Sequence, residues 1–185
     1  MHESERLALG IQKSSYYRNR LIEAAESAKK REKGLQSLIT AEQQEWEDCE
    51  QGLIKHLVNE SMDVAEYCLE MYQQIIAPNG YSGRHRHLSE EIIFVLEGSG
   101  YDLHWDPIFK AEERYDWDWE DEPKRFDYQA GDFVYVPPYS IHQHFANCSS
   151  RVRFISATSR LVKEMMGIDG LEQLGVASST ADIVV

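Results

Sequence analysis

The chain has 185 residues, 42% of them apolar and 11% aromatic, which suffices for one domain of ordinary size with a core of its own. Its 19 basic residues stand against 32 acidic ones, and the formal charge of -13 opposes the phosphate neutralisation that nucleic-acid binding needs and argues equally against an anionic membrane surface. Cys49, Cys68 and Cys148 are dispersed and form no CxxC pair, so they read as reduced packing residues. No apolar run reaches signal-peptide or membrane-span length, and the cytoplasm is the expected location.

Along residues 1–62, Leu21, Ala24, Ala25 and Ala28, then Trp46, Leu53, Ile54 and Leu57, recur at three- and four-residue steps among charged residues. This is the amphipathic helix pattern, and it predicts an N-terminal extension of two or three helices. Thr40-Ala-Glu-Gln43 has the form of a capping box, so a helix is expected to begin near Thr40. From Asp63 the chain changes character. Short runs rich in β-branched and aromatic residues, among them EEIIFVLEGSG, YDLHW, GDFVYVPPYS and RVRFISATS, alternate with Gly, Pro, Asn and Ser. Six or more such strands without crossover helices imply an antiparallel sheet closed on itself over residues 63–165. The acidic segment Asp106 to Tyr128 exceeds a hairpin loop; within it Tyr115, Trp117 and Trp119 alternate with acidic residues, as a strand or hairpin with one apolar face would. That face can cover the mouth of a barrel or meet a second subunit. Residues 166–185 read as a tail with one short helix and loose order beyond it.

Five of the seven histidines fall between residues 85 and 144. His85 and His87 share parity, so on an extended backbone both rings point to one face, and Glu91 keeps that parity four residues on. His142 and His144 repeat the spacing on a later strand. Two strands aiming such residues at one interior can assemble three nitrogens and one oxygen around a divalent ion. Imidazole suits first-row transition metals, and a carboxylate shifts the preference toward iron, manganese, nickel or cobalt over a closed structural zinc site.

His85-Arg86-His87, three further residues, Glu91, six more and Gly98 resemble the first motif of the cupin superfamily. Gly131-Asp-Phe-Val-Tyr-Val-Pro137-Pro-Tyr-Ser-Ile-His142 resembles the second. The resemblance covers about residues 63 to 160. It implies a mainly β fold, a single jelly-roll barrel of the double-stranded β-helix type, here with the N-terminal α-helical extension in front. It also implies His85, His87, Glu91 and His142 as ligands of a divalent metal. The chain departs from the family where a glycine is usual at Tyr139 and an asparagine at Ala146, and the stretch between the motifs is long.

GDFVYVPPYSIHQHF resembles the ring-cleaving dioxygenases of the gentisate type, whereas Glu91 is similar to the three-histidine, one-glutamate cupins such as quercetin and acireductone dioxygenases. The resemblance thus implies a non-haem Fe(II) dioxygenase, with Mn, Ni or Zn as other metals, acting with O2 on a small hydroxylated aromatic or enolic compound. His144 is then the candidate catalytic acid or base, the alternative being a buried, hydrogen-bonded histidine. Arg153, His104, Trp105 and Tyr135 are the candidates for substrate binding. The alternative functions are a metal-dependent isomerase, lyase or decarboxylase and a small-ligand-binding regulatory module; a homodimer or higher homo-oligomer is expected, with the N-terminal helices covering the outside of the barrel or building a dimer interface.

Overall fold

In the computed structural model the described residues are 17–22, 25–26, 36–62, 64, 68–111, 115–161, 167, 170–183 and 185. Residues 17–22 and 25–26 are helical, and the rest of the expected first helix lies outside the described residues.

The segment after it corrects the expectation. Thr40 starts only a single 3₁₀ turn, Ala41–Gln43, in which the Thr40 N–H donates to Gln43 Oε1 at 2.9 Å. Trp46, Leu53, Ile54 and Leu57 then lie on two strands, β1 (Trp46–Cys49) and β2 (Gly52–Val58), joined by a tight turn. The three- and four-residue spacing arose from the alternation of two strands interrupted by that turn. Gly52, at φ +106°, adopts a conformation that no helix interior contains. The 62/63 boundary therefore falls inside one sheet, because β2 pairs antiparallel with β3 (Leu69–Ile76).

The remaining strands are β4 (His85–Arg86), β5 (Glu91–Glu97), β6 (Ser99–Trp105), β7 (Pro107–Ala111), β8 (Tyr115–Trp119), β9 (Lys124–Gln129), β10 (Phe133–Val136), β11 (Ile141–Ala146), β12 (Val152–Ser159) and β13 (Glu172–Gln173). One sheet has the order β1-β2-β3-β12-β5-β10 and the second β13-β4-β11-β6-β9. Every pair of named strands is antiparallel, and the two sheets face each other as a β-barrel. The turn from β5 into β6 requires Gly98, at φ +83°, where a Cβ would lie 2.1 Å from the Arg151 carbonyl oxygen.

Strict alternation fills the barrel. On the large sheet Ile93, Val95, Val134, Val136, Val152 and Phe154 point inward and form an apolar floor with Tyr128 and Ala146 of the small sheet. The other end is polar. Along β11 and β6 the interior changes layer by layer, from Ala146 opposite Gly100, through His144 opposite Asp102, to His142 opposite His104.

Two peripheral segments converge on the polar end. β7 and β8 form the hairpin expected of the acidic insertion. Its Trp119 donates from Nε1 to the Tyr139 carbonyl oxygen at 3.0 Å and packs on the Tyr139 ring, 5.4 Å between centroids. Tyr139, where the family pattern has glycine, holds φ at +65°. The C-terminal residues are not loosely ordered as expected: β13 pairs with β4, setting Glu172 beside Arg86 and Gln173 beside His85. The short helix expected in residues 166–185 is not found among the described ones, 167, 170–183 and 185. Arg86, between the two histidines, has its guanidinium 3.7 Å from the Trp119 ring centroid and 5.0 Å from that of Tyr139, and it pairs with the Glu172 carboxylate. Insertion, second-motif turn and C-terminus thus meet on one side chain.

Candidate metal centre

His85 and His87 come from β4 and the residue that follows it, Glu91 opens β5, and His142 lies on β11 directly opposite His85. All four are buried, and one ligand atom from each lies within 4.8 Å of the others. Each ring is set by the main chain. Nδ1 of His87 lies 2.7 Å from Ser89 O, that of His142 3.0 Å from Ser140 O, and that of His85 3.3 Å from Gly83 O. A carbonyl oxygen only accepts, so each Nδ1 carries a hydrogen and Nε2 is the nitrogen turned to the site, a lone pair whenever the ring is neutral.

The lone pairs point at a carboxylate. Glu91 Oε2 is 3.1 Å from Nε2 of both His87 and His142. The other oxygen, Oε1, accepts from the Tyr72 hydroxyl at 3.0 Å and from the Ser156 hydroxyl. Burial alone would push the Glu91 carboxyl up, but the hydrogen bonds and charges of His142 and His87 outweigh it and hold the group well below the usual carboxylate range. Burial, reinforced by neighbouring His142, drives His85 well below the usual histidine range; burial also lowers His142, against the pull of Glu91. Tyr72 is pushed well above the usual phenol range by burial and by the Glu91 charge, so it stays a neutral donor.

With the rings neutral and the carboxylate ionised, the Nε2 atoms and Oε2 form a ring of acceptors with no hydrogen between them, whereas a proton on His87 or His142 makes a hydrogen bond to Oε2 and holds the carboxyl down. Two ligands about 2.2 Å from a shared ion, at right angles, lie about 3.1 Å apart. The donor set therefore fits a divalent first-row transition ion, with Glu91 contributing Oε2 alone because Oε1 is already engaged.

His85, His87 and Glu91 of this group line a cavity of about 240 Å³, with His142 behind them. Tyr72, Thr158 and Arg160 make one wall, and Gln51, Leu171 and Gln173 another. None of these was singled out in the sequence. The residues expected to bind substrate lie elsewhere. Arg153 sits at an odd position of β12, where the even ones face inward, and its side chain, 39% exposed, pairs with Glu97 on the outside. Tyr135 is 56% exposed for the same reason of parity on β10. Trp105 also faces away from the interior, beneath the Arg84 guanidinium at 5.5 Å. His104 does point inward but packs on Phe126, 4.8 Å between ring centroids, and lies 3.5 Å from Asp102.

His144, expected to act on substrate, does not line the cavity either. It lies one layer below the ligands, Nδ1 2.8 Å from Asp102 Oδ1, with its ring against Phe154. Nε2 is buried without a hydrogen-bond partner. Burial opposes its charged form, but Asp102 prevails and raises it above the usual histidine range. Asp102 is in turn held below the usual range by His144 and His104 against the effect of its own burial. The legible signal for Asp102 was an acidic residue at an inward position of a strand, two before His104.

No family model matches the chain, and no curated protein matches it in sequence. Solved structures do. It is similar to a variant of oxalate decarboxylase from Bacillus subtilis, with 17% identity over 74% of this chain and 30% of that one and a TM-score of 0.50. A variant of salicylate 1,2-dioxygenase from Pseudoaminobacter salicylatoxidans, in complex with gentisate, aligns with 11% identity over 66% of this chain and 29% of that one, also at a TM-score of 0.50. The chain thus spans about three tenths of the length of either protein. A cupin-like protein from Thermotoga maritima aligns over 67% of this chain and 76% of that one, with 19% identity and a TM-score of 0.48. The chain has the cupin fold, with a buried His-His-Glu-His group at the polar end of its barrel.

Proposed function

We propose that the protein is a metal-dependent cupin enzyme, and within that class a non-haem Fe(II) dioxygenase acting on a small hydroxylated aromatic or enolic compound. The observation that carries the reading is the convergence of His85, His87, Glu91 and His142 within 4.8 Å of one another, with the first three lining a small cavity. When bound, the ion supplies Lewis acidity, a template for substrate and dioxygen, and the one-electron chemistry that side chains lack. The chain's own residues do the rest. Gly83, Ser89 and Ser140 hold the rings through main-chain carbonyls, and Tyr72 and Ser156 hold Glu91 by one oxygen. The cavity walls restrict water and admit a compound smaller than those of sites of roughly 300–1,000 Å³. His144, paired with Asp102 beneath the ligands, steadies His142 from below instead of meeting substrate.

A second reading, a metal-dependent isomerase, lyase or decarboxylase, is supported by the buried carboxylate, a hard donor that suits manganese. The test is metal content of anaerobically purified protein by mass spectrometry, followed by oxygen-electrode traces with hydroxylated aromatic acids, catechols and flavonols. Stoichiometric iron and oxygen uptake on one compound is the expected result. Manganese, nickel or zinc without uptake transfers the assignment to the second reading, and absence of any metal refutes both.

A further inference from the structure

We propose that His56, held by Glu47, is the acid–base group of this cavity and takes the proton of a substrate hydroxyl, an inference that rests on the metal-dependent reading of the site and its hydroxylated substrate. His56 lies on β2 and Glu47 on β1, strands that precede both family motifs. The ring faces the interior for a reason of register. His56 stands opposite Tyr72 of β3, whose hydroxyl donates to Glu91, and directly opposed residues share a face of the sheet. Glu47 stands opposite Ile54, so its carboxylate is on the same side, a diagonal neighbour of His56. The register shifts directly after His56, as it does where a bulge re-aims a side chain, and the His56 main-chain N–H donates to Glu45 O at 3.2 Å. The residue lines the cavity together with His85, His87 and Glu91.

The two ring nitrogens have different roles. Nε2 lies 2.6 Å from Glu47 Oε2, and an ionised carboxylate only accepts, so Nε2 carries a hydrogen and Nδ1 is bare whenever the ring is neutral. Among the described residues Nδ1 meets no donor or acceptor, and it is open to solvent. The other ionisable groups of the walls are committed. Glu91 is held by Tyr72 and Ser156, and Glu70 and Arg160 are already engaged. An imidazole with one nitrogen on a carboxylate and the other unoccupied is the arrangement of a general base, because the carboxylate orients the ring and stabilises the imidazolium. A phenolic or enolic hydroxyl is a weak acid near neutrality and needs such a partner. Its O–H bond breaks, the electron pair stays on the oxygen, and the hydrogen joins Nδ1. The oxyanion is then the form that suits a cation at the four-residue group. His56 also lines a second recess, with Glu45, Asn59 and Ser61, and its side chain is 27% exposed, so the proton can later leave to water.

The test is calorimetric titration of the manganese-loaded full chain with catechol under argon, from pH 7.5 to 8.5, in two buffers of different ionisation enthalpy. Free catechol is protonated there and an ordinary imidazole is neutral. The native chain, which keeps the proton on His56, is expected to release one proton fewer per catechol bound than His56→Gln. The affinity of the variant accordingly rises about tenfold more per pH unit, the linkage of one proton. Glu47→Gln, which leaves the ring in place but weakens its hold on the imidazolium, falls between, and manganese content and circular dichroism are unchanged in both. Equal proton counts for the native chain and His56→Gln overturn the proposal and leave the metal centre standing. If His56→Gln does not fold, a count for Glu47→Gln equal to the native one overturns it. Manganese uptake without catechol binding refutes the hydroxylated-substrate reading and this proposal together, and failure to take up manganese refutes the metal centre itself.

Discussion

Replacing Glu91 by glutamine separates what the group does for the metal from what it does for the fold. The amide has nearly the volume of the carboxylate, so no cavity is opened. Its orientation is dictated by its neighbours: Tyr72 and the Ser156 hydroxyl both donate to the position of Oε1, so the amide oxygen must stay there and the NH2 takes the place of Oε2. That NH2 has two hydrogens and faces two Nε2 lone pairs at 3.1 Å. In the metal-free protein at pH 8, with both rings neutral, the substitution therefore replaces a ring of acceptors with two hydrogen bonds, worth about 0.5–1.5 kcal/mol each. Thermal denaturation of metal-free Glu91→Gln is expected to show a Tm above that of the metal-free native chain, at about 2–4 °C per kcal/mol for a protein of this size. Toward a cation the same NH2 is a donor pointed the wrong way, and an anionic ligand is lost. Loss of a group that merely orients a ligand costs 10- to 100-fold in affinity, so the loss here is expected to exceed about 100-fold. The assay is titration of Mn(II) or Zn(II) against a chelating indicator at pH 8. A variant that binds metal as tightly as the native chain, or one whose metal-free form is destabilised by several kcal/mol, refutes the arrangement described for Glu91.

His85→Ala and His142→Ala are expected to abolish metal retention, measured by mass spectrometry after gel filtration. His144→Ala retains metal but loses about 3–5 kcal/mol in urea denaturation, because buried Asp102 loses the nearer of its two histidine partners; metal loss equal to that of His142→Ala would make His144 a ligand. The metal-free protein is expected to lose stability as pH falls. His85 and His142 have folded pKa values below the usual 6.5, so from 6.5 downward the unfolded chain takes protons that the folded one refuses. Glu91, also depressed, adds a further loss below 4.5, whereas His144, raised, offsets part of it with stability present below 6.5 and lost as pH rises through its folded value. Urea midpoints that are level or rising from pH 7.5 to 5.5 contradict this balance. Trp119→Ala removes the ring on which Arg86 lies and is expected to cost about 0.5–2 kcal/mol and to speed proteolytic cutting in the β7–β8 hairpin, with metal content unchanged.

The barrel and the histidines were legible because both depend on parity, which sets His85 with His87 and identifies the inward positions of β11. Glu91 arrives by another route: the chain bends at Leu88 and Ser89, and Glu91 opens β5 in the opposite sheet. The cavity walls were not legible for a related reason. They come from β2, β3, the end of β12 and β13, whose juxtaposition depends on strand order and not on any local pattern. Arg153 was a candidate although it has the wrong parity, and the polar Ser156, at an inward position between Phe154 and Thr158, was the unread sign that β12 serves the site. Residues 46–58 misled because a turn between two short strands reproduces helical spacing when parity is not followed across it. The C-terminal strand has only two residues and almost no β signature of its own, and it is held by pairing with β4 and by Glu172 on Arg86.

The histidine rings are anchored on carbonyl oxygens of Gly83, Ser89 and Ser140, atoms that every amino acid carries. No single substitution at those three positions deletes the anchor, so mutation reaches the ring orientation only by moving the backbone. The cavity walls, by contrast, are made of side chains, and any of them can change in one step. Metal centre and specificity are therefore separately inheritable: a lineage can explore new substrates by exchanging Thr158, Leu171 or Gln173 while the three ring anchors pass down unchanged.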